Sequence, residues 1–526
     1  MPESDAEVTA PGAGGILALA ACGGVLYFLG YAGFGVWPCL LVFLVPFWIA
    51  LERAASTAAA VRAALIFGLV AYAGGFGWLW RLVDVFLEGN RVVGTIAWAA
   101  YGGWFAAGFV VYALAFRRIR ARGWPGVVAG VAPLVAIEWL QPHLFPVDAG
   151  SGLTQAPVWT MQAADLGGPL LLTALVAAAN VVAFETWSWW RGLRRRPVAV
   201  WATALGAILV LSGWSRHQDA AIATAIAQAP ALRVGIVQAN LGVLEKREQS
   251  LITHERHLAQ TRELLAEGDV DLVVWPETAY VRGLRGPLPI SGRPIRQELT
   301  VPLLFGGASV REEGGRLHTA NAAFLVGADG TIRDAYEKNL LIPLAEYVPL
   351  ASHVAALGRL FPHVQDFGAS TEMPALRLGP WRIATPICYE VARHDFVRRM
   401  VRATHPHLLV TIANDAWFGD SQEPWIHLAL ARLRAVEHRR FLVRATNSGV
   451  SAIVDPTGRI VARTGLFTRE NLRGVVYPLD GETLYDRFGD WPGWLAVAIV
   501  AFGLVWPVRG RAWGASLESA PRQRSS

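Results

Sequence analysis

Two textures divide the chain. Up to about residue 215 long apolar runs alternate with short loops, whereas from about residue 232 the apolar runs shorten to strand length and alternate with polar stretches. Runs approaching the ~20 residues that cross a hydrocarbon core occur near 14–34, 37–51, 63–80, 93–116, 126–140, 167–189 and 198–214, with one more at 491–508. The second and fifth are short, with Pro38, Pro46 and Pro133 blurring their ends. This pattern predicts a multi-span α-helical membrane domain of about eight transmembrane helices: residues 1–215 hold seven, 491–508 the eighth, and 509–526 form a tail.

Between them, residues 230–482 read as an α/β domain, with about 250 residues enough to bury a core. Strands are expected at 232–238, 270–275, 303–307, 322–327, 381–387, 408–412 and 451–454, and charged helices at about 246–267 and 424–439. Asp329-Gly330 and Pro456-Thr457-Gly458 read as turns joining paired strands.

Composition agrees with a membrane protein: 53% of residues are hydrophobic, 17% are charged and 22 are tryptophan. A formal charge of +6 does not point to nucleic acid, because the arginines flank apolar runs instead of massing on one domain. Basic residues in short loops mark the cytoplasmic side. Arg53 and Arg62, then Arg117, Arg118, Arg120 and Arg122, then Arg191, Arg194, Arg195 and Arg196 follow the second, fourth and sixth runs. Arg81 and Arg91 are offset by Asp84 and Glu88, and residues 141–164 hold no lysine or arginine. Both termini are therefore expected in the cytoplasm, with residues 215–490 outside and Arg509, Arg511, Arg522 and Arg524 inside. A cleaved signal is the rival reading of the first run, but with Glu3, Asp5 and Glu7 and no basic residue before Arg53 it is expected to be a retained helix. Glu138 and Glu185 near segment ends are expected to reach the interface, to pair with an arginine, or to serve function.

Of three cysteines, Cys22 and Cys39 lie in apolar runs, leaving Cys388 in Thr385-Pro386-Ile387-Cys388-Tyr389-Glu390 without a disulfide partner. No CxxC or HExxH pair suggests metal catalysis. Glu277 ends Val274-Trp275-Pro276-Glu277, and Lys338 lies in Tyr336-Glu337-Lys338. A carboxylate, an ammonium and a thiol suffice for acyl transfer by base, oxyanion donor and nucleophile. Singly, each has a plain alternative: a buried core thiol, a helix cap, a surface lysine.

In this order and with these neighbours the chain resembles the nitrilase, or carbon–nitrogen hydrolase, superfamily, and within it the membrane-bound apolipoprotein N-acyltransferases of bacteria. The carrying motifs are Val237-Gln238-Ala239-Asn240, Trp275-Pro276-Glu277-Thr278, Tyr336-Glu337-Lys338, Pro343-Leu344-Ala345-Glu346-Tyr347-Val348-Pro349, Ile387-Cys388-Tyr389-Glu390, Asn414-Asp415-Ala416-Trp417-Phe418-Gly419, Arg444-Ala445-Thr446-Asn447-Ser448-Gly449 and Thr483 to Asp490. The resemblance implies a nitrilase-like αββα sandwich and catalytic Glu277, Lys338 and Cys388 as base, oxyanion stabiliser and nucleophile. Glu346, Glu390 and Tyr389 become supporting residues, and Trp417 and Phe418 a lid at the mouth of the site. It further implies no cofactor, a phospholipid acyl donor, a diacylated apolipoprotein acceptor, and a monomer in the inner membrane with its catalytic domain in the periplasm. Gly242 and Arg247 stand where the family pattern has a proline and a tryptophan, which bears on a substrate contact. Two rivals are a membrane-tethered amidase using water, and an inactive sensor domain; the second predicts a damaged triad.

Overall fold

The computed structural model describes residues 12–508 except 81, 83–90, 147, 243–249, 314–315, 344, 349–352, 354–363 and 365–366. Arg247, Arg81, Asp84, Glu88 and the tail arginines thus lie outside the described residues.

Helices occupy each predicted apolar run, but unequally. Ala13–Gly30, Thr57–Gly75, Gly94–Ala121, Ala164–Trp190 and Val198–Gln228 are long and apolar enough to cross a bilayer. Gly126–Leu140 and Trp491–Val505 are shorter. The second run is broken into a 3₁₀ turn at Trp37–Leu41 and a helix of 10 residues at Leu44–Arg53, only about 15 Å at 1.5 Å per residue. Its two prolines account for the break. Val198–Gln228 runs 31 residues, well beyond the predicted end at 214, because Ala220–Gln228 remains rich in alanine and carries no helix breaker.

Ala164–Trp190 defines the direction of the bundle. At its start a kink at Gly167-Gly168-Pro169 turns the chain, with Gly168 at φ +66°. A Cβ on Gly168 would lie 2.5 Å from the Tyr485 ring, so both the left-handed backbone and the contact require glycine. Its far end reaches Arg194, which bonds Glu185 and lies 3.7 Å from Glu52. Glu185 thus takes the arginine partner expected for it. Glu138 does not: it accepts from the Ala149 amide at 3.0 Å and the Thr173 hydroxyl at 2.6 Å, tying the irregular 149–155 segment to the bundle.

The α/β domain is a two-sheet sandwich. One sheet runs β14-β1-β2-β5-β6-β7-β4 with β3 beside β5, the other β13-β12-β11-β10-β9-β8. The strands are β1 Leu232–Gln238, β2 Leu272–Val274, β3 Tyr280–Arg285, β4 Ile290–Ser291, β5 Leu303–Glu313, β6 Arg316–Val326, β7 Thr331–Glu337, β8 Leu376–Leu378, β9 Trp381–Ala384, β10 Leu408–Ala413, β11 Leu442–Thr446, β12 Ala452–Val454, β13 Ile460–Arg463 and β14 Glu470–Val476. The period-2 alternation of strands sorts the core. Val234, Ile236, Leu304, Ala323 and Leu325 join one apolar cluster with β10, β11 and the helix Glu423–His438, while Val237, Phe305, Phe324 and Val326 meet Leu258 and Leu264 of Ser250–Ala266. Both predicted turns close antiparallel pairs, β6 with β7 and β12 with β13.

The sandwich docks onto the helices through Glu423–His438. Ile426, Leu430, Leu433 and Val436 share one buried cluster with Phe43, Phe67, Tyr112 and Leu153 of the apolar part, and Tyr389 and Phe418 belong to it too. Arg439, just past the helix, donates to Asp165 at 2.7 and 3.0 Å, to Gln162 at 2.7 and 3.0 Å and to the Pro456 carbonyl at 3.0 Å. Replacing Arg439 by alanine strands the buried Asp165 carboxylate, a change that costs about 3–5 kcal/mol. The detergent-solubilised variant is therefore expected to unfold at a clearly lower temperature, and an unchanged midpoint would show that apolar contacts alone hold the two parts together.

Candidate active site

Three strand ends converge. Glu277 follows β2, Lys338 follows β7 and Cys388 follows β9. Register carries past the last strand residue at two of them: the Lys338 amide donates to the Asn321 carbonyl and the Cys388 amide to the Ile412 carbonyl, each at 2.8 Å. Strand C-termini are where α/β sheets present functional groups. Cys388 has φ +51° and ψ −116° and precedes the short helix Tyr389–Ala392. A non-glycine residue there costs of order 1–3 kcal/mol and persists only when its surroundings enforce it.

Lys338 lies between two carboxylates. Its Nζ is 2.8 Å from Glu346 Oε1 and 3.5 Å from Glu277 Oε1, with only 1% of its side chain exposed. Asn321 Nδ2 donates to both, at 2.7 Å to Glu277 and 3.1 Å to Glu346, and the Ile342 amide holds the other Glu346 oxygen at 2.9 Å. Burial alone would lower the lysine pKa, but the charges of Glu346 and then Glu277 outweigh it and hold the ammonium protonated. Burial raises the Cys388 thiol well above its ordinary value, Glu277 adds to the rise and Lys338 opposes it. The resting pair is thus a neutral thiol beside a fixed cation. Such a site makes its thiolate only when a base takes the proton.

Glu390 lies two residues beyond Cys388 and is fully buried. Its carboxylate accepts from the Tyr336 hydroxyl at 2.8 Å and from the amides of Asn339 at 2.6 Å, Leu340 at 3.0 Å and Ile387 at 2.8 Å. It therefore ties the β7 end to the β9 end. Burial pushes its pKa up to about 7 against those donors. Tyr389 reaches the other way, donating to the Leu144 carbonyl and packing edge-on to Phe145 with centroids 5.9 Å apart. Trp417 and Phe418 follow β10 in the turn Asp415–Phe418, closed by Gly419 at φ +60°. Phe418 is buried edge-on against Trp78 at 5.5 Å. Beside Cys388 these rings leave an apolar cleft lined by Phe76, Trp78, Phe145, Pro146, Ile342 and Phe418 among others, with free space of about 20 Å³, room for roughly one water.

Asp415, Glu423 and His427 place one ligand atom each within 4.8 Å of one another, all buried. Arg444 Nη2 lies 2.7 Å from Asp415, and a guanidinium in the cluster makes it an ion-pair network and not a cation cage.

Of the site residues expected from the sequence, Glu277, Lys338 and Glu346 form one contact group, and Cys388 and Phe418 line one cleft together with Tyr389. Missed were Asn321, which bridges both carboxylates, the membrane-side Trp78 and Phe145, and the buried His427. Asn321 had one signal, a lone polar residue in Ala320-Asn321-Ala322-Ala323.

The comparisons with known proteins fall on the same two regions. The family model for carbon–nitrogen hydrolases matches residues 233–478, and that for the apolipoprotein N-acyltransferase N-terminal domain matches residues 23–182. A protein of Geobacter metallireducens named apolipoprotein N-acyltransferase is 30% identical over 503 residues, 91% of this chain and 93% of its own length. One of that name from Azotobacter vinelandii is 33% identical over 531 residues, 95% of this chain and 96% of its own.

A folded-state pKa near 7 for Glu390, against 4.5 for the free group, means the native chain holds an extra proton in that window, so its stability falls as pH rises through it. Relative to Glu390→Gln, which stays neutral, the stability of the native chain, followed by its thermal midpoint, is expected to decline between about pH 4.5 and 7 by up to about 3 kcal/mol, and to level off above. A difference independent of pH would mean that the four donors keep the carboxylate ionised.

Proposed function

The chain belongs to the apolipoprotein N-acyltransferase family and is an acyltransferase, and from that premise we propose that it moves an acyl chain from a phospholipid to the α-amine of a diacylglyceryl-cysteine at the N-terminus of an apolipoprotein. Glu277 takes the Cys388 proton and the thiolate attacks the ester carbonyl. The Lys338 ammonium steadies the oxyanion, and the lysophospholipid alcohol leaves with the proton held by Glu277. The α-amine then attacks the thioester, gives its proton to Glu277, and the restored thiolate is reprotonated as the amide departs. Glu346 holds the Lys338 ammonium in place, and Glu390 holds the turn that presents the thiol.

The observation that carries this reading is the wall of the cleft at Cys388. Phe76, Trp78, Phe145 and Pro146 come from the helical part, so the nucleophile faces the surface where an acyl chain is already solvated by lipid. Pulling such a chain into water would cost roughly 0.8 kcal/mol per methylene; a site at the bilayer surface avoids that. Because the cleft holds only about 20 Å³, admission of a chain requires displacement of aromatic side chains, and Trp417 with Phe418 is the pair assigned as lid. A dry site also protects the thioester from hydrolysis until the amine arrives.

The orientation follows from Ala164–Trp190. The catalytic domain contacts Asp165 at its start, while Arg194 lies past its end, and Trp124 bonds the Trp506 carbonyl at that same arginine-rich end. Arginine-rich ends favour the cytoplasm, which supports a reading with the α/β domain in the periplasm.

The test is mass spectrometry of the full chain in detergent after incubation with phospholipid. A hydroxylamine-sensitive acyl adduct on Cys388, discharged by a diacylglyceryl-cysteine peptide that gains an amide-linked chain, is expected, and none with Cys388→Ala. Glu277→Gln should slow adduct formation by about 10²–10⁴-fold. An adduct discharged only by water would make the protein a hydrolase, and no adduct on the folded chain would remove the nucleophile role.

A further inference from the structure

The Cys388 carbonyl has a side-chain partner that no step above uses. His427 Nε2 lies 3.0 Å from it, and since a carbonyl oxygen only accepts, Nε2 carries a proton. The ring is 3% exposed. Its other nitrogen, Nδ1, is 3.0 Å from Asp415 Oδ1, 3.2 Å from Arg444 Nη2 and 4.0 Å from Glu423 Oε1. Arg444 closes the group, 2.7 Å from the second Asp415 oxygen and 3.3 Å from the Val450 carbonyl. Backbone makes room for this: a Cβ at Gly449 would come within 2.0 Å of Asp415 Oδ2.

We propose that His427 is a positioning residue, whose Nε2–H on the Cys388 carbonyl fixes the left-handed turn of the nucleophile and ties it to the helix that docks on the membrane part. The inference rests on Cys388 being the acyl carrier. Cys388 is pinned on both sides of its strained φ, by its own amide on Ile412 and by the Val391 amide and His427 on its carbonyl. Of these, only His427 comes from outside the nucleophile's own turn and sheet. Its neighbours Ile426 and Leu430 pack into the cluster shared with the helices, so movement of that helix reaches the thiol within one side chain. A fully buried charge network is also a poor choice for stability alone, since apolar residues of similar volume often do as well or better.

Two variants of the full chain in detergent, His427→Gln and His427→Leu, test this. Gln keeps an N–H donor at the position of Nε2; Leu keeps bulk only. Two rates are read, acyl transfer and alkylation of Cys388 by iodoacetamide followed by peptide mass, the second independent of lipid. A loss of about 10- to 100-fold in kcat and in alkylation is expected for Leu, with KM for phospholipid unchanged, and a loss within about threefold for Gln. A folded Leu variant with native rates, a Gln loss as deep as that of Leu, or a loss carried by KM would overturn the proposal. Should Leu fail to fold, Gln decides alone, a loss beyond about tenfold counting against it. Transfer surviving in Cys388→Ala would instead remove the acyl-carrier reading and leave the alkylation result to judge His427.

Discussion

One ammonium kept charged out of reach of water is the constraint on which this site is built. An isolated buried charge is expensive, and a lysine left alone in such a place gives up its proton. Lys338 keeps it because two carboxylates flank it, and those carboxylates stay in place because Asn321 donates to both. The arrangement explains why three residues far apart in the chain must arrive at strand ends of one sandwich. Removing Lys338 in particular would leave two buried carboxylates without their cation.

The second constraint is where that sandwich sits. A soluble hydrolase fold would suffice for thiol chemistry, yet here the residue after Cys388, Tyr389, and the turn with Phe418 are buried against Phe145 and Trp78 of the helical part. The helix Glu423–His438 serves both sides. One set of its residues belongs to the sandwich core, with Leu428, Ala431 and Ala435, and another to the membrane-side core, with Ile426, Leu430 and Leu433. Candidate site and docking surface are thereby one packed body, held at its edge by Arg439 on Asp165.

Local pattern made much of this legible. β1 was placed to the residue, since a nearly continuous buried apolar run behind a flanking proline leaves little choice, and the helix at 424–439 missed by one residue at each end. Strands made of mixed residues were not seen: Glu470–Val476 and Thr331–Glu337 carry charges and few fully buried positions, and their place is set by pairing with β1 and β6. Length in the helical part was the weakest inference, because hydropathy marks where lipid ends and not where hydrogen bonding does; Val198–Gln228 simply keeps its helix past the apolar stretch. Glu277, Lys338 and Cys388 stood out through their motifs. Asn321 and His427 did not, because their importance lies in what they touch across the fold, 44 and 39 residues away in sequence.

The electrostatics of the site also separate rest from action. With the thiol pushed up by burial and by Glu277, and the ammonium held protonated by Glu346 and then Glu277, the proposed nucleophile is latent until a carbonyl takes up the negative charge that Lys338 is proposed to meet. Stabilisation then acts on the oxyanion and not on a resting thiolate, which is where it speeds the reaction. On the function proposed above, the enzyme waits at a membrane surface for two lipid substrates in turn and has reason to be built this way. A preformed thiolate would be open to oxidation and stray alkylation through each wait, whereas a thiol that ionises only under attack is exposed for the reaction alone.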